Sequence, residues 1–180
     1  MKKFLLLIYL AIYITGCNVT KNSFDDLDSD TLLANTDSLM KAYPDNPQLI
    51  NAIIDARLLI AENDFEQYKK ILIIDPNNLI AKYHVHMNEG KSHHKKGHKN
   101  GQWDAIQSFS KAASLIDTLG EPHFWIAKAY EKKDEMDFES ALESYDIALK
   151  LYLPKKIRPA VINKRNDLIK RKKTFEDFWK

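Results

Sequence analysis

The spacing Ala105, Phe109, Ala112 recurs as Ala141, Tyr145, Ala148, and both alanine offsets (141 − 105 and 148 − 112) are 36 residues. A small residue four positions before a ring and another three after it lie on one face of an α-helix. There they let a neighbouring helix approach closely while the ring fills the gap. A unit recurring at this interval predicts stacked helical hairpins, since one hairpin cannot bury its apolar face alone. The clearer copy is 122–154, closed by Pro122 and Pro154, with a polar turn around 134–137 between its two helices.

The other segments follow the same plan. Pro44, Pro76, Pro122 and Pro154 divide the chain, because a residue before proline is steered out of the α region. Hairpins are expected over about 44–75, 76–119 and 122–154. In the first, Pro47 suits a helix start, and Phe65, Tyr68, Ile71, Leu72 and Ile74 make the second helix. The middle hairpin aligns with the last at Ile80-Ala81-Lys82 and Ile126-Ala127-Lys128, an offset of 46, so it holds ten more residues. They are expected as a basic, histidine-rich loop over 89–101, with Trp103 opening the second helix and Gly120 as a left-handed cap after it. A capping helix is expected over about 159–179, its apolar face built from Val161, Leu168 and Phe175 and extended by Ile162, Ile169 and Trp179. Phe178 and Trp179 are expected as core anchors. Ahead of the hairpins, Ser29 or Asp30 is expected to cap one helix ending before Pro44. The fold class is therefore all-α, one domain over 31–180.

The N-terminus has a different chemistry. Lys2 and Lys3 precede an apolar run over 4–14, followed by Thr15, Gly16 and Cys17. A basic start, a short hydrophobic core and a small residue before the cut make a secretory signal over 1–17. The run is shorter than the roughly 20 apolar residues of a membrane-spanning helix. Ile14-Thr15-Gly16-Cys17 resembles the lipobox of bacterial lipoproteins, whose cysteine is lipidated and becomes the mature N-terminus. That resemblance implies attachment to the cell envelope, and Asn18 after the cysteine implies the outer membrane. Residues 18–30 are a polar tether. As the one cysteine in the chain, Cys17 excludes an intramolecular disulfide.

The pattern Ala-x3-[Phe/Tyr]-x2-Ala before a proline, with Asp75-Pro76-Asn77-Asn78 at a junction, resembles the tetratricopeptide repeat family. Ala105, Phe109, Ala112 and Ala141, Tyr145, Ala148 match its second helix, and Ala127 and Tyr130 match the small and aromatic positions of its first. The proline spacings of 32, 46 and 32 depart from the family period of 34. No Trp-Leu-Gly opening is present, and the first hairpin lacks the alanine pair. The resemblance covers about 44–154 and implies a solenoid with a concave groove for an envelope protein or peptide. Groove positions are Lys82 and His86 on one first helix, with Lys128, Glu131 and Lys132 on the next. Taken singly, each of these is also ordinary solvated surface.

The chemistry of the remaining side chains points to binding. His93, His94 and His98 of the 89–101 segment suit zinc, copper or nickel, or an anion, given Lys95, Lys96 and Lys99 beside them. No cysteine or carboxylate pair completes a metal set, and no resident cofactor is expected. A net charge of +2 gives no argument for nucleic acid. No nucleophile elbow, phosphate loop or zinc-protease motif occurs, so a non-catalytic chain is expected. The expected function is a membrane-anchored interaction scaffold. The alternatives are a metal- or anion-binding lipoprotein acting through 89–101, and an immunity lipoprotein that neutralises a toxin.

Overall fold

Apolar residues at three- and four-residue spacing, punctuated by proline and Asx turns, give helices throughout. The computed structural model describes Phe24 and residues 27–97, 99–134 and 136–179. Among these are nine helices and no strands: α1 (Ser29–Ala34), α2 (Thr36–Ala42), α3 (Pro47–Ala61), α4 (Glu66–Ile74), α5 (Leu79–Lys96), α6 (Lys99–Leu115), α7 (Glu121–Lys133), α8 (Phe138–Lys150) and α9 (Arg158–Phe178). The chain divides into two units, Met1–Ile60 and Ala61–Lys180, a boundary that falls inside the segment 44–75 expected as the first hairpin. Cys17 and the segment 1–17 expected as a secretory signal lie outside the described residues.

In the first unit the helix expected up to Pro44 is two short ones. Asp28, rather than Ser29 or Asp30, caps α1 by accepting from the Thr31 amide at 2.9 Å. Asn35 then interrupts the run, its side chain donating to the Thr31 carbonyl at 2.8 Å. Such local side-chain bonds compete with helix propagation. Phe24 packs edge-on to Tyr43, with ring centroids 5.4 Å apart.

In the second unit consecutive helices pack in adjacent pairs from α4 to α9, and α5 also touches α7. One core cluster lies among α5, α6 and α7, around Tyr83, Met87, Ala105, Phe109, Ala112, Ile126 and Ala129. A second lies among α7, α8 and α9, around Ala127, Phe138, Ala141, Tyr145, Ala148, Val161 and Leu168. Helix α7 is apolar on two faces and so serves both, with Tyr130 packed against each. Ala105, Phe109, Ala112, Ala127, Ala141, Tyr145 and Ala148 are all fully buried. The chain leaving α6 meets the chain leaving α8 through two backbone bonds, Gly120 N–H to Tyr152 O at 2.8 Å and Tyr152 N–H to Thr118 O at 2.9 Å.

Three expectations give way. The segment 89–101 is not a loop: α5 continues to Lys96 and α6 begins at Lys99, with the reversal at left-handed Gly97, φ 86°. The ten extra residues lengthen two antiparallel helices. Gly90 and Gly101, which look like loop punctuation, are buried inside them. A helical glycine costs about 1 kcal/mol against alanine, but at Gly90 a Cβ would stand 2.5 Å from the Phe109 ring. Gly120 is not a left-handed cap either. Its φ is −83°, and glycine is needed because a Cβ would meet the Ala148 carbonyl oxygen at 2.3 Å. On α9, Val161 and Leu168 are buried, whereas Ile162 and Ile169 are 40% exposed. Phe178 and Trp179 are 79% and 71% exposed, so they anchor no core. The helix packs against α8 along one narrow stripe, and positions one residue round from it turn away.

Candidate functional site: a cationic cleft

A cleft of about 470 Å³ is lined by His94 from α5, Lys128, Glu131 and Lys132 from α7, and Lys164 and Arg171 from α9. Lys128 and Lys132 stand one turn apart on α7, and Lys164 and Arg171 two turns apart on α9, so each pair projects along one side of its helix. Both helices pack on α8. Four cations therefore share a cleft with one carboxylate.

That carboxylate is committed. Glu131 Oε1 accepts from the Tyr145 hydroxyl, and Oε2 accepts from Arg171 at 3.0 Å. The Tyr145 ring is fully buried in the second cluster, and its phenol needs an acceptor there. Burial, with the Glu131 carboxylate beside it, pushes its ionisation up.

The lysines are held by other means. Lys128 places its ammonium 3.8 Å over the Trp125 ring and 5.5 Å from Phe124, a cation–π arrangement. Burial lowers its pKa from the usual lysine value, and the charges of Lys164 and Lys132 lower it further. Lys132 donates to the His94 carbonyl at 3.0 Å, at the C-terminal end of α5 where carbonyls lack helical partners. Among the described residues neither Lys128 nor Lys164 pairs with a carboxylate.

His94 is fixed by Gln102, a fully buried side chain one element away. The Gln102 amide nitrogen donates to the His94 carbonyl at 3.2 Å. Its oxygen therefore accepts from His94 Nδ1 at 2.6 Å. Burial lowers the His94 pKa below the ordinary histidine value, and the two nearby lysines add to that, with the Gln102 bond opposing.

The structure thus brings together four of the residues singled out in the sequence, His94, Lys128, Glu131 and Lys132, and leaves the others elsewhere. Lys82 donates to Asn77 at 3.3 Å, and His86 pairs with Glu89 at 3.0 Å on the same helix. His93 faces Asp104 at 3.9 Å, and His98 lies outside the described residues. Among the described residues no three of His, Cys, Asp or Glu come together as a metal-holding group. Lys164, Arg171 and Gln102 are contributors that sequence reasoning missed. Lys164 and Arg171 repeat the seven-residue spacing of Val161 and Leu168, a signal that both lie on one line beside the apolar stripe.

No helix among the described residues is long and apolar enough to cross a membrane. Compared with known proteins, the chain matches no family model and no curated sequence.

Proposed function

We propose that the chain is a lipid-anchored, non-catalytic adaptor of the bacterial cell envelope, whose tetratricopeptide-like hairpins hold a partner protein through the cationic cleft. The observation that carries this reading is the imbalance in the cleft, four cations against one carboxylate already bonded twice. Charges facing solvent without counter-charges steer and select partners of opposite sign. Burial of Lys128 among other lysines is unfavourable in the free protein and is relieved when an anionic group enters. Adjacent packing of α5 to α9, with α5 also reaching α7, supports a short solenoid. The helix α9 is then its cap and also one wall of the groove. The lipid on Cys17 fixes the protein at the outer membrane, and the polar segment after it gives reach.

The test uses the full chain, purified in detergent, to retain proteins from solubilised envelope. The reading expects one protein retained by the wild type and by a Lys82→Glu control, and lost from Lys128→Glu/Lys132→Glu. Equal retention by all three forms, or retention by none, contradicts it.

A further inference from the structure

We infer that the cleft takes a phosphate-bearing ligand, a phosphomonoester or diphosphate group carried on a larger molecule. This rests on the reading of the cleft as the binding surface and specifies the chemistry it selects.

Charge is the first argument. Four cations less one carboxylate leave three positive charges around one space. A carboxylate from a ligand answers one of them. A phosphate ester carries about 1.5 to 2 negative charges at neutral pH on three acceptor oxygens, and a diphosphate carries more. A phosphate ester thus answers more of the excess than a carboxylate does, and a diphosphate more still.

Donor type and placement point the same way. Three ammonium groups supply rotatable point charges, and one guanidinium supplies a planar fork, the two side chains used most for phosphate oxygens. They reach the space from two helices, so an anion with several acceptor oxygens can be held from α7 and α9 together. Trp125 beneath Lys128, at 3.8 Å, and the His94 carbonyl at Lys132, at 3.0 Å, position two donors without any carboxylate. The donors are set before the ligand arrives, which limits the ordering cost of binding.

Size is the third. A cleft of about 470 Å³ has room for a phosphate together with the body that carries it.

The experiment is calorimetric titration of the detergent-purified full chain with pyrophosphate, inorganic phosphate and hexaglutamate. Pyrophosphate is expected to bind at least tenfold more tightly than hexaglutamate and more tightly than inorganic phosphate. Lys128→Gln/Lys164→Gln should weaken it tenfold or more, with a melting temperature at or above that of the wild type, since like charges are removed. Lys164→Gln alone, an exposed side chain, should repeat part of the loss, and Lys82→Gln none. Absence of pyrophosphate binding, or binding indifferent to these substitutions, overturns the inference. Tighter binding of hexaglutamate also overturns it and puts an acidic protein segment in the cleft, leaving the adaptor reading standing. Partner retention unaffected by the cleft variants would instead remove the adaptor reading itself. The source of the phosphate is read in nanodiscs of phosphatidylcholine with and without phosphatidic acid. Weaker pyrophosphate binding beside phosphatidic acid identifies a lipid headgroup, and unchanged binding identifies a soluble phosphorylated molecule.

Discussion

Gly90 faces the ring of Phe109, and the close approach of α5 to α6 depends on the hydrogen it carries in place of a methyl group. A Cβ there would lie 2.5 to 2.8 Å from three ring carbons of a side chain that is itself fully buried. Gly90→Ala should destabilise the fold by about 1–3 kcal/mol, as overpacking does in a filled core, and a denaturant melt would read it. An unchanged midpoint would mean that the ring can move. Histidines give a second residue-scale prediction. His84, His94 and His123 are each lowered from the usual value of 6.5, chiefly by burial. The unfolded chain takes up protons near pH 6.5 and the folded chain only lower, so the unfolded state binds more protons in that window. Stability is then full above pH 6.5 and falls as pH drops through the folded values. Melting temperatures between pH 7.5 and 5 should decline, and a flat profile would contradict this.

Among the elements, the α5–α6 pair decides how the histidine-rich segment behaves. Gly97 turns the chain at φ 86°, where a Cβ costs about 1–2 kcal/mol. Gly97→Ala should cost about that much, seen as a lower melting temperature. Removing 90–101 would take Gly90 with about the last two turns of α5 and the first residues of α6. It should unfold the pair rather than trim a loop, with a loss of helical circular dichroism well beyond twelve residues. The helix-to-helix contacts were legible because small–ring–small spacing reports helix contact directly, and every alanine of the pattern is buried. The long hairpin was not legible, because glycine, lysine and histidine together look like a solvated loop. Nothing local reveals that Gly90 meets a ring nineteen residues later. Four of the six residues lining the cleft had been singled out in the sequence, and the other two had not, for a related reason. Lys128, Glu131 and Lys132 share one helix, whereas Lys164 and Arg171 join them only through the packing of α9 on α8.

At the scale of the molecule, the chain is two units, and Ala61–Lys180 contains both core clusters and every residue of the cleft. Expressed alone, 61–180 should melt cooperatively, and a broad, non-cooperative transition would show that the first unit is required. Within it, Tyr145 ties the core to the cleft: Tyr145→Phe removes one of the two bonds to Glu131. It should cost about 1–3 kcal/mol through the half-satisfied carboxylate and loosen Arg171. An adaptor of this kind must meet its partner in the cell through the cleft. The most direct measurement places a photoreactive amino acid at Lys132, inside the cleft, or at Lys82, outside it, and crosslinks in living cells. A discrete adduct is expected from position 132 and none from position 82. Adducts from both positions alike, or from neither, would contradict it.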